Sequence, residues 1–204
     1  PVLLQCGEAV FQRLFHLFFR GVLGEDGVER LDHMAAAVQV EERVQEVAHD
    51  CPGAPFAWVS DTYSDLHKNI IPSLIDGLSM LGWELDRHYV INKEPPQEWK
   101  ERMYNVCSDW RNTMVFYTGF NFTFISLDRP AIGAGRSYVG VFGDEVKYFP
   151  EEKFTNLLKA VRGFRVKYGD SVWYRSRTLT TDMPNPNHLG CLLYTSPSPR
   201  DKRQ

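Results

Sequence analysis

The sequence is poor in the residues and motifs that build metal centres and disulfide frameworks. Its four cysteines lie far apart and form no CxxC motif, which argues against a structural zinc site and against paired disulfides. Its six histidines form neither an HxH nor an HExxH motif, so no histidine-based metal site is indicated. Unpaired cysteines are typical of proteins in a reducing compartment, and we expect a cytoplasmic protein.

Strong net charge and long apolar segments are also absent. The formal net charge is −3, so any DNA contact has to come from a local basic patch rather than from bulk charge. The most apolar stretch, 11–23, is shorter than a membrane span and carries Arg13, His16 and Arg20. It also lacks the small-residue cleavage pattern of a signal peptide. We therefore expect neither membrane insertion nor secretion.

The patterning that is present predicts an α/β fold. Apolar residues make up 43% of the chain, which is enough for the core of one globular domain. Runs of β-branched, aromatic or alternating residues predict strands at 56–60, 113–117, 122–126, 139–142 and 171–179. Helical periodicity predicts helices at 38–47, 65–71, 72–81 and 154–161, and one more within 92–112. Because strands and helices alternate, we expect a sheet with helices on its faces.

Two adjacent carboxylates follow one of the apolar strands. The run 139–142 leads through Gly143 to Asp144 and Glu145. Open α/β sheets bind ligands at the carboxyl ends of their strands, so a buried strand would fix both carboxylates at such a site. In nucleotide hydrolysis the first acid holds the water shell of Mg²⁺, and the second orients or deprotonates the attacking water. An acidic turn without catalytic function is the alternative interpretation.

Several segments together resemble one protein family, the ATPase core of phage large terminase subunits. They are the hairpin at 113–126, the segment Leu127-Asp-Arg-Pro130, the strand before Asp144 and the strand ending at 180–184. The segments 56–63 and 69–72 also resemble that family. The resemblance covers residues 51–190. It implies a P-loop NTPase-like fold of the ASCE type, with a mainly parallel sheet and flanking helices, incomplete at both ends.

The resemblance also implies functions for particular residues. Asp144 matches the Walker B acid, which holds Mg²⁺ beside bound ATP, and Glu145 matches the catalytic carboxylate. Thr180, Thr181 and Asp182 match the coupling motif, which senses the γ-phosphate and links hydrolysis to DNA movement. Capping of the following turn is the alternative function for these three residues.

Arg136 is the nearest candidate for the arginine that this family places shortly before its Walker B strand. A planar cation there stabilises the charge of the transition state during catalysis. Arg136 lies about two positions closer to the acids than the family's usual Arg-Gly pattern, where this chain has Ala134-Gly135. A solvated or DNA-facing arginine is the alternative.

The family's phosphate-binding string, G-x-x-x-x-G-K-[ST], does not occur in the chain, although the resemblance would place it near 30–37. A shifted reading frame across 34–40 allows codons for a glycine-rich string, so we hypothesise that this region is partly out of frame. Residues 191–204 resemble a translated sequencing-library adapter, with an unrelated Ser/Pro-rich tail as the alternative. We therefore divide the chain into a poorly legible segment at 1–50, a terminase-like ATPase core at 51–190, and a non-native segment at 191–204.

The resemblance implies that the parent protein couples ATP hydrolysis to the packaging of double-stranded DNA into a viral prohead. It implies the portal protein and the small terminase subunit as partners, a ring of identical subunits, and the cytoplasm of a phage-infected bacterium. The family's nuclease domain would follow residue 190, and we expect this chain to be enzymatically inactive. Another P-loop ATPase, such as a helicase core, and a non-enzymatic α/β assembly module are the alternatives.

Overall fold

The computed structural model describes residues 40–128 and 135–180, which form a six-stranded sheet with helices packed against it. The strands are β1 (Pro55–Ser60), β2 (Tyr89–Ile91), β3 (Thr113–Phe116), β4 (Asn121–Ser126), β5 (Val141–Gly143) and β6 (Arg177–Leu179). Their order across the sheet is β2-β3-β4-β1-β5-β6. β1 is parallel to β4 and β5, and β5 is parallel to β6, whereas β3 is antiparallel to its neighbours. The predicted α/β fold with a mainly parallel sheet is confirmed.

The helices occur before, between and after these strands. They are α1 (40–50), α2 (Tyr63–Asp65), a π-helical turn (Leu66–Ile70), α3 (Ile71–Met80), α4 (Gln97–Arg102), α5 (Glu151–Leu158) and α6 (Arg165–Tyr168). A short 3₁₀ turn, Val146–Tyr148, links β5 to α5. Within the described ranges, no helix has the length and apolar character that crossing a membrane requires.

Both faces of the sheet are buried under helices. Alternate residues of β1 point to opposite faces, so β1 contributes side chains to both cores. The core on one side lies under α1 and α3 and contains Phe56, Trp58, Val44, Val47, Leu74 and Leu78. The core on the other side lies under α5 and contains Ala57, Val59, Phe154 and Leu157. Burial of a large apolar side chain stabilises a fold by roughly 1.5–3 kcal/mol. The helix α1 is therefore an integral part of the same packed unit as the sheet.

The hairpin predicted at 113–126 is confirmed. β3 and β4 pair antiparallel, with Thr113 opposite Thr123. The connection between them needs a glycine, because Gly119 has a φ of 80° and a Cβ there would lie 2.7 Å from the backbone of Arg102. This hairpin sets β4 beside β1, whose six residues all pair with β4.

The last strand is much shorter than the predicted segment 171–179, which is wrong at its start. Only Arg177–Leu179 forms a strand, because β6 pairs with the three residues of β5 and with no other described strand. Before it the chain turns: Arg175 has a φ of 59°, and Trp173 Nε1 donates to Asp50 Oδ2 of α1 at 2.9 Å. Trp173 therefore anchors a turn to α1 instead of occupying a strand.

The two helices predicted at 65–71 and 72–81 form one uninterrupted helical run. The π-helical turn lies just before Pro72, which occupies the first turn of α3. Proline lacks the N–H that an α-helix requires and its ring crowds the preceding turn, so a wider turn suits this position. As expected from the periodicity, Leu74 and Leu78 are buried against the sheet.

Candidate functional site

The two carboxylates after β5 lie at the carboxyl edge of the sheet, beside the end of β6. Asp144 and Glu145 directly follow Gly143, and both are partly buried. Leu179 of β6 is paired with Gly143 in parallel, so Thr180 follows β6 at the level of Asp144. The carboxyl ends of parallel strands form the edge at which open α/β sheets bind ligands. The structure therefore brings three of the predicted site residues together.

Thr180 holds Asp144 through a short hydrogen bond. The Thr180 Oγ1 donates to Asp144 Oδ1 at 2.6 Å, and the Glu145 backbone N donates to the same oxygen at 2.9 Å. The Thr180 backbone N donates to the Gly143 carbonyl at 2.9 Å, which extends the ladder between the two strands. Hydrogen bonds to a carboxylate are stronger than those between neutral groups. They fix Asp144 while its Oδ2 makes no hydrogen bond within the described part of the chain.

Glu145 adopts a backbone conformation that is uncommon for residues other than glycine. Its φ of 54° and ψ of 43° lie in the left-handed region, which costs roughly 1–3 kcal/mol and is enriched at functional sites. Its Oε2 lies 2.9 Å from Lys147 Nζ, an ion pair formed across the same turn. The turn thus holds two carboxylates side by side at the end of a buried strand.

Asp144, Glu145 and Thr180 line a cavity of about 350 Å³. The other walls come from β1, from the helical run that contains the π turn, and from the first described residues of α1. The additional polar side chains on these walls are Glu41, Asp65, Asn69 and Ser73. This volume falls within the range of about 300–1,000 Å³ that is typical of small-ligand sites.

The last residue of α2, Asp65, and the π-helical turn, through Asn69, supply two of these side chains, which are fixed by hydrogen bonds. Asn69 Nδ2 donates to Asp65 Oδ1 at 2.6 Å, and Ser60 Oγ donates to Asp65 Oδ2 at 3.2 Å. Thr62 Oγ1 accepts from the Asp65 backbone N at 3.1 Å and caps the start of the helix. The side-chain amide oxygen of Asn69, Oδ1, is left as an acceptor for a ligand or a water. Turns of this kind often occur at functional sites.

Glu41 is a deeply buried carboxylate, with 5% of its surface exposed. Within the part of the chain that the structure describes, its Oε2 has no hydrogen-bond partner. Burial raises the pKa of Glu41 to about 7, repulsion from Asp144 adds to the rise, and a hydrogen bond from its own backbone N–H opposes it. A carboxyl with this pKa is protonated in about half of the molecules at pH 7.

The cavity is acidic, because four carboxylates line it and none of its lining residues among those described is a lysine or an arginine. Within 40–128 and 135–180, no three acidic, histidine or cysteine side chains are grouped as a metal site. Mg²⁺ beside a nucleotide usually takes one or two carboxylates and completes its shell with water and phosphate oxygens. Asp144 and the Thr180 hydroxyl fit that small set of protein oxygens, so the residues present are compatible with Mg²⁺.

The structure does not describe two predicted site residues and one predicted segment. Thr181, Asp182 and the expected phosphate-binding position near 30–37 lie outside the described residues.

Arg136 is described but lies away from the cavity. Its Nη1 donates to Thr123 Oγ1 on β4 at 3.3 Å. Thr123 pairs with Ala57 of the core under α5, and Ala57 pairs with Val141. Asp144 lies beyond Val141 by about 10 Å along the strand, and its cavity is on the face covered by α1 and α3. The structure does not bring Arg136 together with the two acids, since Arg136 lines a different cavity from the one that Asp144 and Glu145 line.

Four polar lining residues, Glu41, Asp65, Asn69 and Ser73, were not predicted as site residues. Residue 41 lies at helical spacing (i, i+3, i+7) from Val44 and Ala48, so the periodicity predicts that it is buried. A threonine such as Thr62 is a common N-cap, and it indicates that a helix begins at Tyr63 and places Asp65 in its first turn. The position of Asn69 depends on the π turn, which no sequence pattern indicates.

Comparison with known proteins adds no assignment. No protein-family model matches the chain, and no curated protein matches it.

Proposed function

We propose that the acidic cavity holds the metal and phosphate end of a nucleotide, and that the parent protein is an ATP-driven, P-loop NTPase-like DNA-packaging motor. The observation that carries this proposal is the convergence of Asp144, Glu145 and Thr180 at the carboxyl edge of two parallel strands. The first described residues of α1 line the same cavity. The position near 30–37, where the resemblance puts the phosphate-binding string, precedes that helix by a few residues in the sequence.

Different side chains of the cavity would bind the metal, activate the water and orient it. Asp144, oriented by Thr180, would hold Mg²⁺, which when bound neutralises charge on the phosphate oxygens. Glu145 supplies the carboxylate that orients an attacking water or takes its proton. Asn69 is held by its bond to Asp65, and its side-chain amide oxygen would accept a hydrogen bond from the same water.

Thr180 also provides the physical link from the cavity to the rest of the motor. Its side chain bonds Asp144, and its backbone continues β6 toward Thr181 and Asp182. A change in charge at Asp144 therefore alters a bond at the end of β6. In the assembled ring, within an infected bacterium, this link would move elements that grip double-stranded DNA, with the portal protein and the small terminase subunit as partners.

Calorimetric titration of the 204-residue chain with ATP tests the site. We expect roughly millimolar binding that requires Mg²⁺, because none of the described residues that line the cavity is basic. Asp144→Asn should weaken binding at least tenfold. The matched control is Asp128→Asn, which changes an exposed carboxylate beyond the end of β4 and should bind like the unaltered chain.

Two outcomes decide between the alternatives. Absence of any Mg²⁺-dependent nucleotide binding would contradict the proposal and favour a non-enzymatic assembly module. We expect no ATP turnover by this chain, which has no phosphate-binding string. Mg²⁺-dependent turnover that Glu145→Gln abolishes would contradict that expected inactivity while supporting the site.

A further inference from the structure

A second cavity, of about 440 Å³, lies at the opposite, amino-terminal edge of the sheet. Pro55 and Asn121, the first residues of β1 and β4, form part of its wall. The segments 105–108 and 135–138 form much of the remainder. It shares no lining residue with the acidic cavity. Its volume is also within the range of small-ligand sites.

Arg136 gives this second cavity a positive charge. Its Nη1 donates to Thr123 Oγ1, its guanidinium also lies close to the Tyr138 hydroxyl, and it forms no ion pair in the described part of the chain. Asp109 is the acidic group near it, but Arg111 Nη2 already pairs with Asp109 at 2.7 Å. Among the residues that the structure describes, no carboxylate lines the cavity. Most of the N–H donors of Arg136 are therefore available to an anion.

Tyr138 adds a buried donor next to that charge. The residue is 2% exposed, and its hydroxyl lies close to Thr123 and Arg136 but makes no well-formed hydrogen bond within 40–128 and 135–180. Burial raises the pKa of Tyr138, and the charge of Arg136 and contacts with Thr123 and Arg136 oppose that rise. A buried hydroxyl without a partner costs about 1–3 kcal/mol, which a ligand oxygen accepting from it would offset.

The other polar groups of the wall are hydroxyls and amides. Ser108 and Ser137 contribute hydroxyls, and Asn105 contributes a side-chain amide. A carboxylate offers two acceptor oxygens, whereas a phosphate group offers at least three, which matches a wall made of one arginine and several neutral donors.

We propose that this cavity binds the phosphate group of a small phosphorylated ligand, with Arg136 as its cation and the Tyr138 hydroxyl as its buried donor. Arginine is suited to this task because its planar fork donates two parallel hydrogen bonds to phosphate oxygens. The site is separate from the nucleotide site proposed above and does not depend on it.

Titration of the full chain with inorganic phosphate, at constant ionic strength set with chloride, tests the proposal. We expect saturable binding, observed as line broadening in ³¹P NMR and as a rise in melting temperature. Arg136→Gln should weaken binding at least tenfold and Tyr138→Phe about threefold, since the latter removes only one hydroxyl donor. Arg136→Lys should give an intermediate affinity, because it keeps the charge and loses the fork.

Three controls separate this site from general charge effects and from misfolding. Arg87→Gln, which removes an exposed arginine paired with Glu84, should bind phosphate like the unaltered chain. Asp144→Asn should also leave phosphate binding unchanged, so that failure here is distinguishable from failure at the acidic cavity. Far-ultraviolet circular dichroism checks that each variant is folded, and Arg136→Lys stands in if Arg136→Gln is not.

The source of the phosphate is distinguished by comparing glycerol phosphate with a short DNA duplex at equal phosphate concentration. Tighter binding of glycerol phosphate supports the small-ligand site. Preferential binding of the duplex that Arg136→Gln abolishes would overturn it and identify a contact with the DNA backbone. Absence of saturable phosphate binding, or equal affinity in Arg136→Gln, would overturn the site altogether.

Discussion

At the scale of single residues, the bond from Thr180 to Asp144 determines where the first carboxylate of the cavity points. Thr180→Val removes the donor while keeping the β-branched shape. We expect a loss of about 1–2 kcal/mol in the free energy of unfolding, because the bond is charge-assisted but only partly buried. Urea denaturation measures the change.

The matched control for this variant lies two residues earlier on the same strand. Thr178 pairs with Phe142, and its side chain makes no hydrogen bond in the described part of the chain. Thr178→Val should therefore change stability by less than about 0.5 kcal/mol. Equal effects of the two variants would mean that the bond to Asp144 contributes nothing of its own.

Glu41 gives the fold a pH dependence opposite to that of a salt-bridged carboxylate. Its pKa is raised from 4.5 to about 7 in the folded chain, so above pH 4.5 the unfolded chain binds fewer protons there. The stability contributed by this group is complete below pH 4.5 and is lost as the pH rises through 7. Asp144, Asp65 and Glu145 line the same cavity, and ionisation of Glu41 adds a further negative charge beside them.

Glu41→Gln should remove that decline. Between about pH 5 and about pH 8, the free energy of unfolding of the variant should rise by about 2 kcal/mol relative to that of the unaltered chain, after allowance for solvent screening. Glu42→Gln changes the exposed neighbour on the same helix and should keep the decline. Urea denaturation at both pH values measures the difference. If the free energy of unfolding fell with pH equally in Glu41→Gln and in the unaltered chain, Glu41 would not be the source of the decline.

At the scale of elements, the contact between α1 and α3 depends on a glycine. A Cβ on Gly77 would lie 2.6 Å from the side chain of Glu41, which is buried and has little room to move. Gly77→Ala should therefore destabilise the fold by about 1 kcal/mol, although alanine is the better helix former. In a Glu41→Ala background the same change should stabilise by about 0.5–1 kcal/mol.

A double-mutant cycle measured by urea denaturation separates these two effects. The change of sign between backgrounds is the expected result, since only the steric contact depends on Glu41. Additive effects of the two substitutions would contradict the close packing of these helices.

The sequence predicts regular elements well where one local signal dominates. Alternating aromatic and β-branched residues around Gly119 predict the hairpin, and the spacing of Phe154 and Leu157 predicts α5. The strand predicted from Ser171 is wrong because its length is set by the short partner β5, a tertiary constraint. The π turn before Pro72 escapes prediction for a similar reason, since proline alone also suits the start of a new helix.

At the scale of the whole molecule, the sheet separates an acidic cavity at its carboxyl edge from a basic one at its amino edge. The sequence predicts Asp144, Glu145 and Thr180 for the first cavity, because residues after parallel strands converge there. It cannot indicate Asn69 and Asp65, which the helical run brings across the sheet. Nor can it indicate that Arg136, eight residues before Asp144, lies near the other edge.

The central claim is that the acidic cavity binds a divalent metal together with a nucleotide. Mn²⁺ in place of Mg²⁺, added with ADP to the ¹⁵N-labelled chain, tests it directly, because Mn²⁺ broadens the NMR signals of nearby amides. We expect selective broadening of Asp144, Glu145, Thr180 and Asn69, and its loss in Asp144→Asn. Broadening confined to other acidic positions, such as Asp61 and Asp128, or unchanged broadening in Asp144→Asn, would contradict the claim.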